Sequence, residues 1–271
     1  MALTRYKRYM PTLMLGALCL MYAAFLSDRA TVERLTREDG PIETCGALLL
    51  LAASVLFFIA YLGSNHPNRK HDGPGERSRR NLFFLLLSAM FVLGFLEEIS
   101  WGQRILNNKT PDFILTENTQ GETNIHNLRW FEGGRKGAKE SFWQLCLNME
   151  RLFQLFWICF CVGIPLLSKY VPAARKMFDR IRLPVLPLHY AFLFTANYLL
   201  SRMVAGIHPI YTHGAVEAKE TGVEFLFMCA GVGQVCQVVT ARRPTVATSA
   251  EEESGTLGIR EQCPSQPGLK R

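Results

Sequence analysis

The chain has 271 residues, 49% of them hydrophobic and 11% aromatic, with a formal charge of +7. That length would suit one or two soluble domains. However, the apolar residues come in runs with short Lys/Arg blocks beside them, which argues against a nucleic-acid partner and for an all-α, polytopic transmembrane bundle.

A bilayer crossing takes about 20 mostly apolar residues, and six stretches are predicted to supply one. The first is Tyr9–Leu26, behind the basic leader "RYKR". A cleaved signal peptide is its alternative, but the apolar run is long for one and no clear A-x-A site follows. "EDGPIE", from Glu38 to Glu43, opens the second span, Ile42–Leu62. Asp39 or Gly40 can cap that helix, Pro41 suits its first turn, and acidic groups favour the positive end of the helix dipole. Asp39 and Glu43 are also candidates for substrate binding.

The third span, Leu82–Leu96, is short unless the helix continues through Glu97 and Glu98. Acidic groups at a helix carboxyl end oppose the dipole, so capping does not account for these two. Adjacent helical residues point about 100° apart, so one can face the bundle and the other water. Pairing of both with Arg104 in the interfacial water layer is the plain alternative. Trp101 reads as an interfacial belt residue.

"NTQGETNIHN" follows, from Asn118 to Asn127. Asn118, Gln120, Glu122, Asn124 and His126 recur at every second position, so an extended chain places all five on one side. The plain reading is a solvated loop. The functional reading is a strip of donors and acceptors facing a cavity, with Glu122 and His126 as an acid–base pair or metal ligands.

The fourth span, Phe142–Leu167, carries Glu150 and Arg151, read as a self-neutralising buried pair. The fifth, Val185–Val204, holds Asn197 and Arg202. "HPIYTHGAVEAKETGVEF" then leads into the sixth, Val223–Thr240. If helical, it puts His213, Glu217, Glu220 and Glu224 on one face. Gly214 and the Thr221–Gly222 pair argue against an unbroken helix there. Residues 244–271 are polar and predicted to be a disordered cytoplasmic tail. No internal repeat is evident.

The eight Cys include no CxxC pair, so no zinc ribbon or thioredoxin-type centre is indicated. Cys45 and Cys146, near span ends, are the one pair kept as a candidate disulfide.

Lys and Arg concentrate in the leader, in the loops before Leu82 and before Val185, and at Arg242–Arg243. With six spans these fall on one side, which is then cytoplasmic, with both termini inside. All the acidic motifs, and a long loop at about 100–141, fall on the other side of a bundle spanning residues 1–243.

"EDGPIE", "EEISWGQR" and "NTQGETNIHN" resemble the signature blocks of a bacterial family of multi-spanning membrane proteins, written E-D-G-x-x-E, E-E-x-S-W-G-Q-R and N-x-Q-x-E-x-N-x-H-N. The resemblance covers about the middle half of the chain. It implies a bacterial inner-membrane location and no activity, and it assigns no residue a role.

The functional expectation is a polar site at the extracytoplasmic face. Glu97, Glu98, Glu122 and His126 are its candidate catalytic residues. Gln103, Arg104, Gln120, Asn124, Asn127, Asp39 and Glu43 are candidates for binding substrate. Glu98, Glu122, His126, Glu220 and Glu224 are candidate ligands for a divalent metal; carboxylate-rich sets suit magnesium, calcium or manganese. A hydrolase or transferase acting on a lipid or lipid-linked substrate fits that placement. The alternatives are a solute or ion transporter and a non-catalytic assembly factor. No HExxH, GxSxG or Walker-type loop is present.

Overall fold

A computed structural model describes residues 2–37, 40–64, 80–118, 121–125, 128, 131, 142, 146, 148–207 and 209–241. Among these residues all regular structure is helical, apart from one isolated antiparallel bridge between Asn118 and Leu128. Helix α1 runs Ala2–Ala23, α2 Arg29–Thr36, α3 Pro41–Gly63 and α4 Leu82–Glu98. Two short helices follow, α5 Gln103–Leu106 and α6 Asp112–Glu117. Then come α7 Met149–Trp157, a π-helical segment Ile158–Gly163, α8 Ile164–Tyr170, α9 Pro172–Arg180, α10 Leu188–Ile207 and α11 Thr212–Ala241.

Four stretches among the described residues are long and apolar enough to cross a membrane: Arg8–Leu26, Arg29–Gly63, Arg151–Tyr170 and Thr212–Ala241. Among the described residues the chain is thus all-helical, with four helical stretches that fit an integral membrane protein. Helices α4 and α10 are not in that set. Helix α4 has 17 residues, about 25 Å at 1.5 Å per residue. Helix α10 is diluted by His189, Asn197 and Arg202.

Three sequence expectations change. Helix α11 begins at Thr212, not near Val223, and runs unbroken through Gly214, Thr221 and Gly222. Its glycines serve packing: a Cβ at Gly222 would overlap the Asn197 amide, and one at Gly214 would stand 2.8 Å from Thr36 Oγ1. The fourth span starts at Met149, not Phe142. Asn148 caps it by accepting from the Arg151 backbone N–H at 2.9 Å, and the Arg151 side chain is exposed rather than buried, while the Glu150 side chain lies outside the described residues. Cys45 and Cys146 are both free thiols, so they form no disulfide.

The π-helical segment has a local cause. Pro165 has no N–H for the carbonyl of Cys161, and its ring crowds that carbonyl. The chain widens just before it, and Ile164 N–H donates to Cys159 O, five residues back.

Aromatic rings hold the helices together. Phe227 on α11 lies 4.8 Å from Phe91 of α4, 5.1 Å from Phe194 of α10 and 5.7 Å from Phe156 of α7. Phe57 of α3 joins at 5.5 Å from Phe91. Lipid is as apolar as these rings, so the gain from bringing them together is close packing. Helix α1 adds Met14 and Leu18, each 1% exposed, to the same core.

Candidate functional site

The end of α4 is shaped by backbone that side chains rarely tolerate. Ser100, Trp101 and Gly102 follow the helix with φ of 46°, 54° and 75°. Left-handed geometry at a non-glycine residue costs about 1–2 kcal/mol, so two such residues in a row need external support. Ser100, 1% exposed, donates its hydroxyl to Glu122 Oε2 at 2.5 Å. Trp101 Nε1 donates to Glu97 Oε1 at 2.6 Å. The second oxygen of Glu97 accepts from the Ile125 backbone N–H at 2.6 Å.

Gln103 continues the clamp. Its amide nitrogen donates to Thr110 Oγ1, and its oxygen accepts from the Thr123 N–H, both at 2.7 Å. Thr110 in turn donates to Gly121 O at 2.7 Å. "EEISWGQR" and "NTQGETNIHN" are therefore two halves of one interlock. Trp101 is 41% exposed, and its ring nitrogen serves this interlock as well as any membrane interface.

The three described members of the alternating set, Asn118, Glu122 and Asn124, are not laid out along an extended chain, so the every-second-residue argument fails for them. Asn118 Nδ2 donates to Asn124 Oδ1 at 2.7 Å and to Asn124 O at 2.9 Å. Six residues of extended strand would span about 20 Å. Gly121, at φ 72°, turns the chain back, and Glu122 N–H then reaches Asn118 Oδ1 at 3.2 Å. Asn124 Nδ2 also donates to Glu122 Oε2 at 3.2 Å. Glu122 and Asn124 do come together, but by curling, and they face Ser100 and Asn118.

The second polar group lies where α3, α4 and α11 meet. Glu224, 6% exposed, sits inside α11 with its carboxyl against Gly46 of α3. Any side chain at position 46 would overlap Glu224 Oε2. Thr221, one turn earlier, donates to Ile42 O at 3.2 Å and fixes α11 against the start of α3. The charges of Glu98, Glu220, Glu217 and Glu43 all act on Glu224. A carboxyl so placed needs a proton, a cation or hydrogen-bond donors for company. Glu217 has His213 Nδ1 at 3.9 Å.

Adjacent Glu97 and Glu98 thus diverge, as their angular offset requires: Glu97 binds the loop, and Glu98 joins the cluster around Glu224. Sequence reasoning missed Lys219. It is 7% exposed, and its Nζ lies 3.4 Å from Glu220 Oε1. A lone Lys inside the acidic face "EAKETG" is the signal that could have found it.

Of the candidate metal ligands, Glu98, Glu220 and Glu224 fall in the cluster, and Glu122 belongs to the loop. No three His, Cys, Asp or Glu among the described residues are arranged to hold a metal ion. Asp39, Gln120, His126 and Asn127 lie outside the described residues, as does the side chain of Arg104, whose backbone is in α5.

Comparison of the chain with protein-family models, with curated proteins and with solved structures finds no match.

Proposed function

We propose that this is a bacterial inner-membrane protein with six spans and both termini in the cytoplasm, and that Glu224 with Glu43, Glu98, Glu217 and Glu220 forms the site of an extracytoplasmic hydrolase or transferase acting on a lipid or lipid-linked substrate. One observation carries the reading: an apolar helix buries the Glu224 carboxyl against Gly46, with Glu220 and Glu217 one and two turns earlier on the same helix. Ionisable groups are expensive within membrane segments and mark function by default. In this reading the two added spans are α4 and α10, and the basic loops favour a carboxyl cluster on the outer side.

In this reading Glu224 and Glu98 exchange a proton with the substrate, at the depth where headgroups meet the bundle. Lys219, 3.4 Å from Glu220, supplies positive charge for a phosphate or carboxylate group. Glu97, Gln103 and Glu122 act as positioning residues, because their oxygens hold the loop that closes over α4. Two of the three blocks that resemble the bacterial multi-spanning family, "EEISWGQR" and "NTQGETNIHN", supply this interlock.

The transporter reading has less support. The polar residues deepest in the bundle are tied to helix backbone: Asn197 Nδ2 donates to Lys219 O at 2.8 Å, Ser201 to Ala215 O at 2.7 Å and Ser54 to Ser88 O at 2.9 Å. Groups engaged in this way crosslink helices more readily than they line a path.

The test uses a deletion strain complemented with wild type, Glu224→Gln or Glu98→Gln. Lipid extracts are compared by mass spectrometry at equal membrane levels of each protein. A lipid change reversed by wild type and by neither variant supports the site. Full complementation by both variants overturns it. Cysteine labelling at positions 98 and 220 from the cytoplasmic side alone would overturn the orientation.

A further inference from the structure

A separate feature lies toward the other end of α11. A cavity of about 340 Å³ opens between the first half of α1, the start of α10 and the last turns of α11. Met10, Met14, Leu186 and Ala230 supply an apolar wall. Gln234 and His189 are polar groups in the lining, and the exposed Pro187 and Gln237 mark its mouth. Gln234 is ten residues beyond Glu224, roughly 15 Å along the helix, so this cavity stands apart from the proposed outer site.

Gln234 is 5% exposed, and its amide has no hydrogen-bond partner among the described residues. Buried amides are almost always satisfied, and an unsatisfied one is costly. Among the described residues no Asp, Glu, Lys or Arg lines the space, so they offer a charged ligand no counter-charge. A neutral head with a carbonyl or hydroxyl is what Gln234 can satisfy, since its amide both donates and accepts. An apolar wall among membrane helices calls for a hydrocarbon tail. The volume is at the small end for ligand sites, enough for a head and the first part of a chain.

We propose that this cavity binds a neutral acylglycerol-type lipid from the surrounding leaflet, with its hydroxyl or ester carbonyl held by Gln234.

The test places the full chain in phosphatidylcholine nanodiscs with a diazirine-bearing monoacylglycerol, followed by photolysis and peptide mapping. Labelling is expected within residues 10–14 or 230–237. It falls at least fivefold in Gln234→Leu and in Ala230→Phe, which fills the cavity. Unlabelled monoacylglycerol competes, and an equal amount of the anionic fatty acid does not. If Ala230→Phe fails to insert, Gln234→Leu decides. Absence of labelling means a cavity holding only water and overturns the proposal. So does labelling that neither variant reduces, or equal competition by the fatty acid.

Discussion

Gly46 of α3 and Glu224 of α11 are complementary: the carboxyl of one occupies the volume where the other would carry a side chain. An alanine at 46 removes a helix-interior glycine, a gain of up to about 1 kcal/mol. It also overpacks a tight contact, which costs about 1–3 kcal/mol. The contact is with Oε2 itself, so the cost should win. Gly46→Ala is expected to lower thermal stability in detergent. In a Glu224→Ala background the same change becomes neutral or stabilising. Equal effects in both backgrounds would rule out direct contact.

Glu97 ties two parts of the loop to α4. Its oxygens accept from Trp101 Nε1 and Ile125 N–H, both at 2.6 Å. Glu97→Ala removes both bonds at a half-buried position, a loss of about 1–3 kcal/mol in local stability. Amide exchange at Ile125 should accelerate by at least tenfold, with proteolysis rising between residues 100 and 128. Exchange rates unchanged from wild type would refute the interlock.

Asn197 is fully buried and links three helices. Its Nδ2 donates to Lys219 O, and Tyr22 Oη donates to both its backbone and side-chain oxygens at 3.1 Å. Tyr22→Phe deletes one donor and should cost about 1 kcal/mol. Asn197→Leu should cost more, because it strands the tyrosine hydroxyl and forces a larger side chain against Gly222. Thermal unfolding of the two variants and of the pair checks the order, and the pair should fall short of additivity.

Asp28 caps α2 from outside the spans. Its Oδ1 accepts from Thr31 N–H at 3.0 Å and its Oδ2 from Thr31 Oγ1 at 2.7 Å. The side-chain hydroxyl of Thr31, and then its backbone N–H, hold the carboxyl below its ordinary range. A lowered folded pKa means that the cap's contribution is present above the ordinary value near 3.9. It is lost as pH falls through the lowered one. An NMR titration of the Thr31 amide should therefore show a midpoint below that ordinary value. In Asp28→Asn the transition should vanish while the cap persists, since Asn caps comparably well. A midpoint at or above 3.9 would contradict the cap.

The sequence by itself determined a helical membrane protein. Apolar runs, basic flanks and the Pro41 start of α3 are local properties that depend on composition and backbone rules alone. It also singled out the Glu97–Glu98 pair, because acids at a helix carboxyl end have no local excuse. Tertiary structure decided what each acid does. Glu97 and Glu98 diverge because one faces a loop closed by Asn118, Gly121 and Asn124, and the other faces α11. The alternation in "NTQGETNIHN" gave no warning of that curl, since a turn at Gly121 and side-chain bonds across six residues override a period-two pattern. The Thr221–Gly222 pair looked like a helix break, because intrinsic propensity cannot see the Asn197 side chain that makes glycine necessary there. Gly46, Lys219 and Gln234 carried no motif at all. Gly46 takes its role from Glu224 on α11, Lys219 from burial beside Asn197, whose amide holds its carbonyl, and Gln234 from a wall shared with Met14 and Leu186. Contacts between distant parts of the chain create those environments, and no local rule contains them.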